Sequence, residues 1–117
     1  MANLGFQYDW PHRCYPKTQV PIPATIRALT SKAQHLFQRL SAQELDYHGE
    51  AVIVNYYKPK EYMIGHLDDG EEDQKNPIFS FNFGLSCVFL LGGPDKQIEP
   101  LALKLEAGDL LSKYAEM

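Results

Sequence analysis

A single change of period constrains this chain more than any other feature. Ile26, Leu29, Ala33, Leu36, Phe37 and Leu40 recur at steps of three and four, which sets them on one face of a helix, with Arg27, Lys32 and Arg39 mostly off it. Pro23 suits the first helical turn. From Glu50 onward that spacing gives way to short runs bounded by turn residues. Ala51–Tyr57 reads AVIVNYY, a β-branched and aromatic strand that Pro59 stops. Tyr62–Leu67 is a short extended piece. Pro77–Phe83 alternates, with Phe79, Phe81 and Phe83 on one face, expected in the core, and Ile78, Ser80 and Asn82 opposite. Gly84 permits a bend before the strand Ser86–Leu91. Leu101, Leu103 and Leu105 alternate again, Gly108-Asp109 makes a turn, and Leu110-Leu111 begin a last strand. The pattern predicts a mainly β fold with one N-terminal helix packed by its apolar stripe on a jelly-roll-like pair of sheets.

Ahead of the helix, Asn3–Pro23 combines Phe6, Tyr8, Trp10 and Tyr15 with Pro11, Pro16, Pro21 and Pro23. Proline removes backbone donors, so this stretch is expected to be an extended, irregular lead-in. At 117 residues the chain is expected to form one domain, 1–117, with a lead-in (1–22), a helix (23–41) and a β segment (50–117). Its opening residues lack the apolar run of a signal peptide, and no stretch is long and apolar enough for a membrane span. Two cysteines, Cys14 and Cys87, cannot build a disulfide framework and suit a reducing, intracellular compartment.

The net charge of −4 conceals an asymmetry. Up to residue 43, five basic residues face Asp9 alone; from Glu44 onward, six basic residues face fourteen acidic ones. A basic segment of that kind permits contact with phosphate, and a solvated helix face explains it equally well.

The chemistry centres on Gly65-His66-Leu67-Asp68. In an extended segment, residues two apart point to the same side, so both side chains can reach one metal ion. Imidazole plus carboxylate makes two-thirds of the facial triad that holds non-haem Fe(II) with open positions. On spacing alone, a surface histidine beside a surface acid is the commoner arrangement. The acidic run Asp68-Asp69-Gly70-Glu71-Glu72-Asp73 does not suit calcium. An EF-hand loop needs its glycine at position six, and Gly70 follows Asp68 by two. Beyond Asp68 the run reads as a solvated turn.

Read in order, LGFQYDW, VNYYKPKEYMIGHLDD and NPIFSFNFGLSCVFLLGG resemble the AlkB-like Fe(II)/2-oxoglutarate dioxygenases, most closely their homologue-one branch. The blocks cover nearly the whole chain. The resemblance implies a double-stranded β-helix, or jelly roll, with 1–22 lid-like and 50–117 a partial β core. It makes His66 and Asp68 the first two Fe(II) ligands, with no catalytic residue beyond the metal ligands. Asn55 and Tyr57 match strand residues that hydrogen-bond 2-oxoglutarate, and their spacing puts them on one side of that strand; Tyr56 is expected in the core. Tyr8 and Trp10 fall where the lid approaches the nucleobase, where they either stack on it or simply close the barrel mouth. The implied reaction is O2-dependent oxidative demethylation of N-methylated nucleobases in tRNA or DNA, methylated adenine being favoured and methyl-cytosine open. The implied compartment is the nucleus, cytoplasm or mitochondrion.

The family completes its site with a distal histidine and a 2-oxoglutarate-binding arginine after the Gly-Asp turn. Here no His follows His66 and no Arg follows Arg39, and His12, His35 and His48 all lie upstream. The expectation is a dioxygenase domain truncated at its C-terminus, five or six strands where a jelly roll needs about eight, and little turnover by these residues alone. The alternative is a non-catalytic nucleic-acid-binding fragment.

Overall fold

Prolines in the lead-in all lie beyond residue 10, and the proline-free segment before them holds a strand. The computed structural model describes residues 1–68 and 75–114. Its elements are β1 (Ala2–Phe6), β2 (Gln19–Val20), α1 (Ala24–Ser41), β3 (Ala51–Val54), β4 (Ile78–Phe81), β5 (Cys87–Leu91), β6 (Leu101–Leu105) and β7 (Leu110–Lys113). The described residues are thus mostly β with a single helix. They divide into two units, Met1–Met63 and Ile64–Met117.

In the first unit β1 is central, not irregular as its neighbourhood of prolines suggests. It pairs antiparallel with β2 on one side and β3 on the other. The β1–β3 register runs from Gly5 opposite Ala51 to Ala2 opposite Val54. There the pairing ends, so Asn55–Tyr57, expected within the strand, lie outside it. A turn follows, closed by Glu61 N–H on the Lys58 carbonyl (3.0 Å) and by Lys58 N–H on the Glu61 carboxylate (2.8 Å).

Helix α1 starts one residue after Pro23, whose carbonyl accepts from Ile26 and Arg27, both at 3.1 Å. Arg39 in the last turn suits the helix dipole. Arg27, Lys32 and Arg39 are exposed as the spacing predicts, and Ala33 is buried at 1% exposure. Ile26, Leu29 and Phe37 are half-buried. Leu36 and Leu40, however, are exposed, at 47% and 88%. The reason is the path of the chain after the helix. Gln34 donates to the Leu45 carbonyl (2.6 Å) and Gln38 accepts from Leu45 N–H (3.2 Å), so the return segment runs along the Gln34/Gln38 side. The covered face is therefore turned away from Leu36, and Leu40 sits in the uncovered last turn.

The second unit has nested pairing: β4 with β7, and β5 with β6 inside them, all antiparallel. Each arm of this double hairpin bends once. On the outgoing arm Gly84 turns the chain at φ +83°. Phe83 belongs to that bend rather than to the strand and is 72% exposed, whereas Phe79 and Phe81 in β4 are half-buried. Asn82 fastens the two bends together. Its N–H donates to the Asp109 carbonyl (3.0 Å), its carbonyl accepts from Gly108 (2.7 Å), and its side-chain amide reaches the carbonyls of Leu85 (3.3 Å) and Leu105 (3.4 Å). Tyr62–Leu67 forms no strand. The acidic turn expected after Asp68 lies outside the described residues.

Candidate functional site

His66 and Asp68 come together without a strand to align them. Their side chains meet at 3.2 Å, His66 Nε2 to Asp68 Oδ1. His66 Nδ1 lies 2.9 Å from the Ile64 carbonyl. A carbonyl oxygen can only accept, so Nδ1 carries a proton, and Nε2 is the ring nitrogen that faces the carboxylate. Two donors bound at right angles, each about 2.1 Å from one ion, lie about 3.0 Å apart. The observed separation suits adjacent positions on a single cation. Without a cation, an imidazolium donating to Asp68 would fit the same spacing.

Asp68 has a second partner. Lys113 of β7 donates to its Oδ2, and the same ammonium lies 5.5 Å from the centroid of the Phe89 ring of β5. The lysine side chain is only 18% exposed, and Asp68 is 30% exposed. Leu110-Leu111 mark the start of this strand in the sequence, but nothing there singles out Lys113. Its pairing with Asp68 spans 45 residues and leaves no local signal in the sequence. Among the described residues no group of three or more His, Cys, Asp or Glu side chains is placed to hold a metal ion.

The other predicted site residues belong to the first unit. Asn55 and Tyr57 follow β3 and are exposed; the Tyr57 hydroxyl donates to Met63 Sδ at 3.9 Å. Tyr56, expected in the core, is 75% exposed, because β3 ends before it. Tyr8 and Trp10 stack edge to face with centroids 4.6 Å apart, and Tyr15 meets Tyr8 in the same manner at 4.9 Å. The turn that carries Trp10 is closed by Asp9 and Cys14, paired through their backbones. Within it His12 donates to the Asp9 carboxylate through Nδ1 (2.8 Å) and through its backbone N–H (3.2 Å). These two hydrogen bonds, the side-chain one first, hold the Asp9 carboxyl below the usual carboxylate range. Both cysteines are exposed free thiols. A cleft of about 310 Å³ between Phe6, Gln19, Ile22, Arg27, His48 and Glu50 contains none of the predicted site residues. No helix among the described residues is long and apolar enough to cross a membrane.

Comparison with known proteins bears on this arrangement. The chain is 34% identical over 110 residues to the tRNA demethylase abh1 of Schizosaccharomyces pombe, covering 94% of this chain and 36% of that protein. It is 34% identical over 119 residues to the DNA N(6)-methyladenine demethylase ALKBH1A of Arabidopsis thaliana, covering 98% and 33% respectively. Against the α-ketoglutarate-dependent dioxygenase AlkB of Escherichia coli the identity is 33% over 97 residues, 82% of this chain and 44% of that one. The chain thus spans about a third of the length of the first two curated relatives it matches. The model of the 2OG-Fe(II) oxygenase superfamily, defined by Fe(II) and 2-oxoglutarate, matches residues 2–117. By that match, which runs through the His66–Asp68 pair and every strand described, this chain belongs to the 2OG-Fe(II) oxygenase superfamily.

Proposed function

We propose that the protein takes part in Fe(II)- and 2-oxoglutarate-dependent oxidative demethylation of N-methylated nucleobases in tRNA or DNA, with His66 and Asp68 holding the metal. One observation carries this reading. The Nε2 atom of His66 and a carboxylate oxygen of Asp68 converge at 3.2 Å in a chain whose family uses a bound Fe(II). When bound, the metal and 2-oxoglutarate supply the oxidation: one oxygen of O2 enters the N-methyl group, which leaves as formaldehyde, and the other enters succinate as CO2 departs.

The chain's own residues bind and orient. The Ile64 carbonyl fixes the His66 tautomer, which keeps Nε2 free to ligate. Asn55 and Tyr57 offer an amide and a phenol to 2-oxoglutarate. Tyr8 and Trp10 offer ring faces to a flipped base, in a segment whose sequence also carries Lys17 for its phosphates. The nested β4–β7 and β5–β6 pairs support a jelly roll, in which successive strands of one ribbon fold back on themselves. Residues 1–117 then belong to one domain of that fold. Exposed thiols at Cys14 and Cys87 suit an intracellular compartment, nuclear, cytoplasmic or mitochondrial.

A second reading, a nucleic-acid-binding fragment without catalysis, draws on the two-donor site and its lysine neighbour. Turnover separates them. The 117 residues, and the same residues joined to a family-type segment carrying the distal histidine and arginine, are incubated with Fe(II), 2-oxoglutarate and N-methyladenine-containing tRNA or DNA. The enzyme reading expects little succinate from the first. From the second it expects succinate with formaldehyde, lost on His66→Ala. Nucleic-acid binding with no succinate from either favours the second reading.

A further inference from the structure

Lys113 occupies the one oxygen of Asp68 that His66 does not face. Its side chain is about four-fifths covered, its ammonium lies near the Phe89 ring, and it hangs from a strand whose register, Lys113 opposite Ile78, fixes the start of its stem. A cation so held is not free to retreat into water, and the aromatic face favours its staying. With a neutral imidazole, the Asp68 charge is cancelled by the lysine. A dication would therefore enter a site where His66, Asp68 and Lys113 carry no net charge, beside a fixed positive charge.

We propose that Lys113 is a built-in cation that opposes divalent-metal binding at His66–Asp68. This rests on the reading of that pair as the metal site, and it assigns Lys113 a restraining role rather than a supporting one. A lysine that merely oriented the carboxylate for the metal would act with the opposite sign. Removing its charge would then weaken binding.

The test uses the 117-residue protein and Mn(II) alone, followed by paramagnetic broadening of the His66 ring resonances, which registers weak binding. Lys113→Met and Lys113→Gln remove the charge; Lys113→Arg keeps it. Half-broadening is expected at about tenfold lower Mn(II) in the two neutral variants than in the wild type. Lys113→Arg should behave as the wild type does. In an Asp68→Asn background the neutral substitutions should bring no gain. Equal or weaker binding in the neutral variants, including no broadening in any chain, overturns the proposal. So does loss of the dispersed amide spectrum in both, which would make the lysine structural. If Asp68→Asn leaves the wild-type broadening unchanged, Mn(II) binds elsewhere and the underlying site reading fails too. Gain in the neutral variants that depends on Asp68 supports both.

Discussion

Gly5 shows how much one residue can decide. It sits in the central strand at φ +71°, and a Cβ built there would lie 2.0 Å from the Glu50 carbonyl oxygen and 2.9 Å from Ile22 Cδ1. Gly5→Ala must both strain the backbone and push β1 away from Glu50, whose carbonyl accepts from Phe6 N–H at 2.8 Å. The expected cost is about 2–4 kcal/mol, read as a lower urea midpoint. Asp9 makes a prediction about pH. Its carboxyl is depressed by the His12 hydrogen bonds, so the folded turn binds its proton less readily than the unfolded chain does. The contribution of the pair is present above the ordinary carboxylate pKa and is lost as pH falls through the depressed one. Following the Asp9 carboxyl by NMR should give a midpoint below the usual range, rising toward that range in His12→Ala. An unchanged midpoint in the variant would assign the shift to another cause. Neither Gly5 nor Asp9 stood out in the sequence. A glycine in a strand and an Asp-x-x-His spacing are both common, and only the closeness of Glu50 and the tight turn give them meaning.

At the scale of elements, the helix and the strands of the second unit were legible because their signal is local. Periodicity located α1 within a residue, alternation located β4 and β6, and turn residues marked off β5 and the start of β7. The misplacements came from partners. β1 is a strand because β2 and β3 pair with it, and β3 is short because that pairing ends at Val54. The apolar stripe of α1 was right in composition and wrong in extent, since the return segment covers the Gln34/Gln38 side. Leu36→Ala and Leu40→Ala should accordingly change stability by no more than about 0.5 kcal/mol, while Ala33→Leu overpacks a buried position and costs about 1–3 kcal/mol. Ala42 ends the helix in the left-handed conformation at φ 54°, so Ala42→Gly should stabilise by about 1 kcal/mol. Thermal or urea unfolding of these four variants checks the set. A large loss at Leu36 would mean that the helix buries the face the sequence predicted.

For the whole molecule, family membership was readable in blocks of sequence because each block carries local side-chain pattern and order. The site was readable only in part. His66 and Asp68 are two residues apart, and their meeting at 3.2 Å follows from short-range geometry. Lys113 reaches Asp68 only through the nested pairing of β4 with β7, which no short motif encodes. Asn82 clamps both bends for the same reason, and exchanging it for alanine should loosen the double hairpin by about 1–3 kcal/mol. The central claim is that His66 and Asp68 together hold a divalent metal. Anaerobic calorimetric titration with Mn(II) tests it most directly, on the wild-type chain, His66→Ala and Asp68→Ala. The account predicts binding to the wild type that vanishes in each variant, because two donors already fall below the three of a facial triad; unchanged affinity in both variants would contradict it.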